Sequence, residues 1–292
     1  MFQPEAPGLE RPAELYPLLY EELVARTLAE DLGRAGDLTS DAIVPPHLEA
    51  EALVVARREG RIAGLGVALA AFRQLDPGVQ IEVAIGDGQD AAAGATLARV
   101  RGRARPMLSA ERTALNFLGH LSGIATVTRG MVAAVAGTQA KIVCTRKTTP
   151  LLRTLEKYAV RLGGGSNHRF GLDDAVLIKD NHRAIAGSAA EALRRVRGRV
   201  GHLVKVEIEV DNLQELEEVL ALGVDAVLLD NMGVEMLRQA VQIVAGRAIT
   251  EASGNIVPET VAAKAATGVD LLSAGWLTHS AANLDVALDI VF

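Results

Sequence analysis

The chain has 292 residues, which is enough for two domains, and 49% of them are hydrophobic, as in an ordinary globular protein. A formal net charge of −6 argues against non-specific nucleic-acid binding, which needs a basic surface. The single cysteine, Cys144, excludes an internal disulfide and a cysteine-bound metal cluster. No charged stretch followed by an apolar run opens the chain, and no apolar run reaches the roughly 18 residues that a membrane span needs. We therefore expect a cytoplasmic protein with neither a membrane nor a nucleic-acid partner.

The first part of the sequence mixes helical and strand patterns. Residues 14–31 alternate apolar and acidic positions at a helical spacing, and Leu65–Leu75 has a helical pattern too. Strands are predicted for three apolar runs, which are residues 52–57, 79–85 and 96–100. These elements together predict an α+β domain.

A long helix and then a repeating pattern follow. Ser109 has the side chain of an N-cap and is predicted to open the helix. After it, short apolar runs alternate with helical segments; the runs are residues 141–145, 175–180, 203–210, 226–231, 248–254 and 271–275. Repeated βα units predict parallel strands, and six or seven of them closing on themselves would form a barrel short of the usual eight. Residues 281–292 are interpreted as a helix that packs back on the first domain.

Each apolar run ends in residues that can carry chemistry. In chain order these are Arg146 and Lys147, Lys179, Glu207 and Glu209, Asp230, Glu251 and Ser253, and Ser273 and Gly275. The carboxyl ends of parallel barrel strands meet at one mouth, so these side chains are predicted to converge on one pocket. Any single residue among them could equally be a helix cap or a solvated loop charge. Six strand ends of the same kind make that interpretation weaker for the set.

The charges at these ends indicate the ligand. The cationic set would repel itself unless the ligand carried several negative charges; it comprises Arg146, Lys147, His168, Arg169 and Lys179. Carboxylates such as Glu209 and Asp230 suit Mg²⁺ or could stabilise a positive sugar centre. The segments 253–255 and 274–276 resemble the backbone phosphate cradle found after the last barrel strands. Together these features predict phosphoryl or phosphoribosyl chemistry.

Several motifs, in order from about residue 28 to 281, resemble the quinolinate phosphoribosyltransferase family. They are Thr145-Arg-Lys-Thr-Thr-Pro, Leu155-Glu-Lys-Tyr-Ala-Val, Gly163-Gly-Gly-Ser-Asn-His-Arg-Phe-Gly-Leu, Leu177-Ile-Lys-Asp-Asn-His, Glu207-Ile-Glu-Val, Leu229-Asp-Asn, Glu251-Ala-Ser-Gly and Leu277-Thr-His-Ser. The segments Gly36-Asp-Leu-Thr-Ser, Glu111-Arg-Thr-Ala-Leu-Asn and His120-Leu-Ser-Gly-Ile-Ala-Thr resemble the family as well. Each motif is weak alone, but the ordered set is highly specific.

The resemblance implies an α/β fold with two domains. Residues 1–117 would form an N-terminal α/β sandwich, and residues 118–280 an incomplete α/β barrel of the seven-stranded type. The implied enzyme is a decarboxylating pentosyltransferase of NAD biosynthesis. It would join quinolinate to phosphoribosyl pyrophosphate and release nicotinate mononucleotide, pyrophosphate and CO₂. A homodimer with shared active sites is also implied, with a hexamer as an alternative.

The resemblance also implies a role for each site residue. Quinolinate would be held by Arg146, His168, Arg169, Lys179 and, from the neighbouring subunit, Arg112. Lys147, Glu209 and Asp230 would address phosphoribosyl pyrophosphate, with Glu209 and Asp230 binding its Mg²⁺. The 5′-phosphate would bind the two loops formed by Ser253, Gly254 and Asn255, and by Ala274, Gly275 and Trp276.

Two residues depart from the family pattern, in the loops expected to bind phosphate. Asn255 stands where the family usually has glycine, and Asn tolerates left-handed backbone better than most residues. Trp276 stands where a small residue is expected, and it could reshape the phosphate site or point away from it. Structural roles are favoured for His47, His120, His202 and His279, which show no metal-ligand spacing.

Three other functions fit parts of the pattern. A related phosphoribosyltransferase-like protein of molybdenum-transport operons is the nearest alternative, and nicotinate phosphoribosyltransferase is a second. A non-catalytic sensor of phosphoribosyl ligands belongs to a different class. The complete cationic set favours a dicarboxylate pyridine, and the acidic pair disfavours the sensor, since a binder gains little from stabilising a sugar cation.

Overall fold

The computed structural model describes residues 14–291. The expectation that no signal peptide opens the chain concerns residues 1–13, which lie outside the described residues, as does Phe292. Within the described range, no helix combines the length and the apolar character needed to cross a membrane.

The elements up to the long helix alternate between helices and antiparallel strands. A short 3₁₀ turn, Pro17–Leu19, precedes them. In chain order they are α1 Glu21–Leu32, α2 Leu38–Ile43, β1 Glu49–Ala56, β2 Gly60–Arg61, α3 Leu65–Leu75, β3 Gln80–Val83, β4 Asp90–Ala91, β5 Thr96–Arg103 and α4 Ala104–Ala134.

The elements that follow repeat the strand–helix unit. In chain order they are β6 Lys141–Val143, α5 Arg153–Leu162, β7 Val176–Ile178, α6 Asp180–Ala186, α7 Ala189–Arg197, β8 Val206–Val210, α8 Leu213–Leu220, β9 Ala226–Asp230, α9 Val234–Val244, β10 Ile249–Ser253, α10 Val261–Ala265, β11 Leu271–Ser273, α11 Trp276–His279 and β12 Val286–Val291.

The chain divides into two compact units. One contains the residues up to Arg129, the segment Thr154–Gly164 and the end of the chain from Ala281. The other contains Gly130–Arg153 and Gly165–Ser280. The division therefore falls inside α4, and it groups α5 with the first unit although the sequence places α5 among the βα repeats.

The first unit is built on a four-stranded antiparallel sheet in the order β12–β1–β5–β3. Helix α3 supplies much of its apolar core, because seven of its eleven residues are buried. Its Phe72 side chain is among the largest that are fully buried. Burial of this kind stabilises a fold by about 25 cal/mol per Å² of apolar surface.

The C-terminal segment is a strand, so the predicted helix over residues 281–292 is wrong. β12 pairs antiparallel with β1, from Glu51 opposite Val291 to Ala56 opposite Val286. Leu284, Val286, Leu288 and Ile290 alternate with other residues at a period of two, which is the strand period. The segment does belong to the first unit.

Helix α4 begins earlier than predicted, at Ala104, so Ser109 lies inside it and is not its N-cap. Pro106 does not prevent this start because proline is tolerated in the first turn of a helix, where the missing N–H has no partner anyway. The Ser109 hydroxyl instead donates to Asp37 Oδ2 at 3.0 Å. Asp37 in turn caps α2 by accepting from the Ser40 amide.

The second unit is a parallel sheet of six strands, and every one of the six apolar runs forms one of them. Their order is β6–β11–β10–β9–β8–β7, so neighbours in the sheet are consecutive strands in the chain except for β6 and β11. Beside β6, Ser166 adds a single parallel bridge to Val143. The predicted α/β fold with an incomplete barrel is confirmed, with six strands and this one bridge in the described residues.

Burial explains why these runs become strands. All five residues of β8 are buried, which is typical of parallel strands covered on both faces. Two of the helices between them start at side-chain caps: Ser188 accepts from the Glu191 amide before α7, and Asn212 accepts from the Glu215 amide before α8. Because all six strands run in parallel, their carboxyl ends lie at the same edge of the sheet.

Candidate active site

A cavity of about 680 Å³ lies at the carboxyl ends of the parallel strands, and every residue that lines it belongs to the second unit. The structure brings twelve predicted residues to it: Arg146, Lys147, His168, Arg169, Lys179, Glu209, Asp230, Ser253, Gly254, Asn255, Gly275 and Trp276. The predicted convergence of the strand ends is therefore observed.

Two predicted residues do not line this cavity. Ala274 is buried, and its amide donates to Val143 O at 2.9 Å, so it joins α11 to the sheet. Arg112 lies on α4 in the first unit, where its guanidinium is 3.7 Å from Glu111 and largely exposed. The role assigned to Arg112 stays a prediction.

The cationic side of the cavity contains groups that lack anionic partners. The Nε atom of Arg146 is buried and has no hydrogen-bond partner among the described residues. Burial lowers the pKa of Arg169, the nearby Arg146 lowers it further, and Glu207 opposes the effect. Two guanidinium groups that are close together and incompletely paired favour a ligand with more than one negative charge.

Lys147 is held at the mouth of the cavity by its own backbone. Its amide donates to Thr145 Oγ1 at 3.0 Å, and its carbonyl accepts from Thr278 Oγ1 at 2.7 Å. A Cβ on Gly275 would lie 2.9 Å from Lys147 Cδ, which is closer than real Cβ atoms approach. Gly275 therefore leaves the space through which the Lys147 side chain passes.

The acidic side of the cavity comes from the neighbouring strands β8 and β9. Glu209 Oε2 accepts from Lys179 Nζ at 2.8 Å, and Asp230 Oδ2 accepts from Asn231 Nδ2 at 2.7 Å. Each carboxylate keeps a second oxygen that accepts no hydrogen bond from the described residues. Two such hard oxygen donors in one cavity are chemically suited to Mg²⁺.

A cluster of three titratable side chains was only partly foreseen. His168 Nε2 lies 3.1 Å from Glu207 Oε2 and 3.5 Å from Glu251 Oε1, and the Nδ1 atom of the same ring accepts from the Arg169 amide. Burial raises the pKa of Glu251 to about 7, the Glu207 carboxylate raises it as well, and His168 opposes them. This cluster fixes the segment that carries Arg169.

The sequence predicted Glu251 at the end of the fifth apolar run, but it did not predict the partners of its side chain. The carboxylate of Glu251 lies in a strand whose other central residues, Thr250 and Ala252, are buried, and it is itself 2% exposed. A buried acid inside an apolar run needs a partner or a raised pKa. His168, Glu207 and Glu251 lie close enough to one another to hold a metal ion, but the Glu207 carboxylate also interacts with the Arg169 guanidinium.

The loop after β10 has the backbone conformation expected of glycines. Gly254 has φ +85° and Asn255 has φ +49°, so asparagine does take the left-handed conformation here. A Cβ on Gly254 would collide with the Asn231 side chain, which makes glycine necessary at that position. Trp276 is among the residues that line the cavity.

Several lining residues were not predicted. They are Leu177, Leu228, Ile256, Val257 and His279, whereas Thr145, Asn231, Glu251 and Ser273 also line the cavity and belong to the ends of predicted apolar runs. The sequence favoured a structural role for His279, but the residue lines the cavity. The Leu277-Thr-His-Ser motif includes this histidine. The apolar members carry no chemical signal in the sequence and become visible only when the strand ends are brought together.

Comparison with known proteins agrees with this geometry. The family model described as quinolinate phosphoribosyl transferase, N-terminal domain, matches residues 37–122, and the C-terminal domain model matches residues 124–289. The chain is 43% identical to the probable carboxylating nicotinate-nucleotide pyrophosphorylase of Bacillus subtilis, over 94% of each chain. It is 46% identical to the Mycobacterium leprae carboxylating nicotinate-nucleotide pyrophosphorylase, over 92% of this chain and 96% of that protein.

A solved structure gives the same result. NadC from Streptococcus pyogenes superimposes with a TM-score of 0.91 at 40% identity and covers 96% of this chain and 100% of its own. Both family models together span most of the sequence, including the cavity and most of the first unit. The chain therefore belongs to the quinolinate phosphoribosyltransferase family.

Proposed function

We propose that this protein transfers a phosphoribosyl group from phosphoribosyl pyrophosphate to quinolinate, with loss of CO₂, to give nicotinate mononucleotide. The observation that carries the proposal is one cavity lined by four lysine and arginine side chains, two histidines, three carboxyl groups and a glycine-containing loop. The relatives from Bacillus subtilis and Mycobacterium leprae are named as carboxylating nicotinate-nucleotide pyrophosphorylases, which supports the same reaction. The reaction would supply a pyridine nucleotide for NAD biosynthesis.

Quinolinate carries two carboxylates on adjacent ring carbons, so it fits the incompletely paired cations. Arg146 and Arg169 would bind them as planar forks, and His168 and Lys179 would complete the set. Lys179 Nζ, which lies 2.8 Å from Glu209 Oε2, would then either leave Glu209 or contact Glu209 and the substrate together. In this proposal Arg112 comes from a partner subunit, so the enzyme acts as a homodimer or as a larger assembly of dimers.

Phosphoribosyl pyrophosphate would lie across the acidic side of the cavity. Glu209 and Asp230 would hold Mg²⁺, which neutralises charge on the pyrophosphate leaving group when it is bound. Lys147 would contact the pyrophosphate, and the loops around Gly254 and Gly275 would take the 5′-phosphate. The cytoplasmic location expected from the sequence stays a prediction.

The chemistry needs no general base on the protein. The ring nitrogen of quinolinate attacks the anomeric carbon, the bond to pyrophosphate breaks, and the carboxylates of Glu209 and Asp230 stabilise the positive charge that develops on the sugar. The nitrogen is then cationic. When the adjacent carboxylate departs as CO₂, the electron pair of the broken C–C bond stays on the ring, where the cationic nitrogen stabilises it. A proton replaces that carboxylate on the ring carbon. Most of the acceleration would come from positioning and fixed charges.

The direct test is a mass-spectrometric assay of the purified protein with quinolinate, phosphoribosyl pyrophosphate and Mg²⁺. We expect nicotinate mononucleotide only when all three are present, together with equal amounts of pyrophosphate and CO₂. Nicotinate offered in place of quinolinate should give no product. Absence of product in the complete mixture, with both ligands still bound, would contradict the proposal and favour a sensor.

The alternative functions are less well supported. The relatives carry the names of carboxylating pyrophosphorylases, which favours the transferase over the molybdenum-operon protein and the sensor. The paired arginines also fit a dicarboxylate better than nicotinate, which has one carboxylate. Lys147→Ala, Lys179→Ala and Asp230→Ala variants with normal turnover would remove the residue roles but not the reaction.

A further inference from the structure

The loop from Ser253 to Asn255 has all three of its carbonyl groups occupied by donors from elsewhere in the second unit. Ser253 O accepts from the Asn231 amide at 3.0 Å. Gly254 O accepts from Lys264 Nζ at 2.6 Å. Asn255 O accepts from Thr260 Oγ1 at 2.7 Å. Each of three consecutive peptide groups is therefore fixed at its oxygen end.

Fixing the carbonyls also fixes the amides, because the C=O and N–H of a trans peptide point in opposite directions. The peptides concerned are trans, and the amides at their other ends belong to Gly254, Asn255 and Ile256. None of these amides donates to an acceptor in the described part of the chain. Three unpaired donors in succession on a turn form an anion-binding surface.

The two sides of the loop face different spaces. Residues 253–256 line the main cavity. Gly254 and Asn255 also line a smaller one of about 360 Å³, and Thr260 and Lys264 line that smaller one alone. Since the donors to the Gly254 and Asn255 carbonyls lie on the side of the smaller cavity, the opposite ends of those peptides face the main cavity. The free amides are thus directed towards the proposed substrate.

Lys264 is more than a space-filling residue. It lies on α10, is 7% exposed, and places a cation directly against a peptide oxygen. Burial lowers the pKa of Lys264, and Asp230 acts against that effect. A hydrogen bond from a charged donor polarises the whole peptide group, so it strengthens the Asn255 N–H as a donor to an anion.

We propose that Lys264 and Thr260 are positioning residues that hold the Gly254, Asn255 and Ile256 amides towards the 5′-phosphate of phosphoribosyl pyrophosphate. The identity of the anion rests on the proposed function, whereas the orientation of the amides rests on the hydrogen bonds alone. Neither side chain touches the substrate; both act through the loop. They also hold Asn255 in a left-handed conformation that glycine would take at lower cost.

Two pairs of variants test this. Lys264→Met keeps the length and apolar stem of the side chain but removes the donor, and Lys205→Met is its control because Lys205 is exposed and pairs only with Asp225 in the same unit. Thr260→Val removes the hydroxyl at constant shape, and Thr260→Ser restores it. The steady-state constants for both substrates and the affinity for ribose 5-phosphate, by calorimetry without turnover, are measured for each.

We expect Lys264→Met to raise KM for phosphoribosyl pyrophosphate and Kd for ribose 5-phosphate by about ten-fold. Thr260→Val should raise both by about three-fold, since its bond is neutral. KM for quinolinate should not change, and Thr260→Ser and Lys205→Met should match the wild type. If Lys264→Met does not fold, the threonine pair carries the test.

Two results would overturn the inference. One is wild-type affinity for ribose 5-phosphate in both Lys264→Met and Thr260→Val. The other is an equal loss for both substrates that follows a loss of thermal stability, which would make the two residues general scaffold. Absence of nicotinate mononucleotide from the wild type would remove the proposed reaction, yet the ribose 5-phosphate measurement would still decide the role of the loop.

Discussion

Each unit contains a carboxylic acid whose pKa is raised by burial, and the two acids differ in how they are hydrogen-bonded. In the first unit, Asp87 accepts from the Leu65 amide at 2.8 Å and from Tyr158 Oη at 3.0 Å. In the second unit, Glu251 Oε1 is buried without a hydrogen-bond partner among the described residues. Both acids are partly or fully withdrawn from water, yet only Asp87 has bonds on both oxygens.

This difference in hydrogen bonding distinguishes an acid that stabilises the fold, Asp87, from an acid at the candidate active site, Glu251. Asp87 joins the start of α3 to α5, and it raises the pKa of Tyr158 beyond what burial does alone. Glu251 lies beside Glu207 and His168 at a cavity that also contains the unpaired Nε atom of Arg146. An unsatisfied buried group costs free energy, so two such groups in one cavity indicate a place for a ligand. Satisfied burial, by contrast, contributes to stability.

The largest expected effect concerns a carboxylate that faces the cavity. Glu209→Gln should lower kcat by about 100- to 1,000-fold, because the charge that stabilises the sugar cation is lost. The melting temperature should change little, since the amide can still accept from Lys179. Glu235→Gln is the matched control, because Glu235 is 74% exposed and pairs only with Arg238 on its own helix. Equal kcat values for Glu209→Gln and Glu235→Gln would show that the Glu209 charge does not contribute to catalysis.

The opposite behaviour is expected in the first unit. Asp87→Ala removes the acceptor for two donors and should lower the free energy of unfolding by about 2–3 kcal/mol. Tyr158→Phe removes one of those bonds and should cost about 1 kcal/mol. Chemical denaturation measures both, and turnover per folded molecule should equal that of the wild type. A turnover loss at unchanged stability would erase the distinction between the two acids.

The smallest expected effect is the part of the pH dependence of stability that comes from Glu251. Its folded pKa of about 7 lies above the ordinary 4.5, so the protonated form is favoured on folding. Stability from this group is complete below about pH 4.5 and is lost as the pH rises towards 7. Glu251→Gln does not titrate, so its melting temperature should rise relative to the wild type across this window.

The control for that experiment is again Glu235→Gln, whose difference from the wild type should not vary with pH in the same way. A constant difference between Glu251→Gln and the wild type from pH 4.5 to 7 would show that Glu251 titrates normally. Burial is the main cause of its raised pKa, and the Glu207 carboxylate adds to it.

The parallel sheet could be predicted from sequence because its strands are short, mainly apolar runs that alternate with helical segments. The site followed from the same pattern, since residues such as Lys179 and Asp230 come directly at or after the strand ends. The pattern of apolar and polar residues within short segments was sufficient for both predictions. The carboxyl ends of parallel strands meet at one edge of the sheet whichever strands are neighbours, so the strand order need not be known.

The remaining features depend on contacts between distant residues. The helix predicted for residues 281–292 failed because the segment is stabilised by pairing with β1, more than two hundred residues earlier in the chain. Likewise, Lys264 gives no signal in an otherwise alanine-rich segment, and its contact with Gly254 O becomes visible only in the structure. Ser109 was misassigned because a proline in the first turn, Pro106, does not end a helix.

The pairing of β12 with β1 has a consequence for the order in which the chain can fold during synthesis. Until residues 286–291 have left the ribosome, β1 has an unpaired edge, although its own residues were made much earlier. The parallel sheet, which ends at Ser273, can be complete before then. The N-terminal sheet is thus the last to be finished, and an exposed strand edge of this kind is prone to association with other nascent chains.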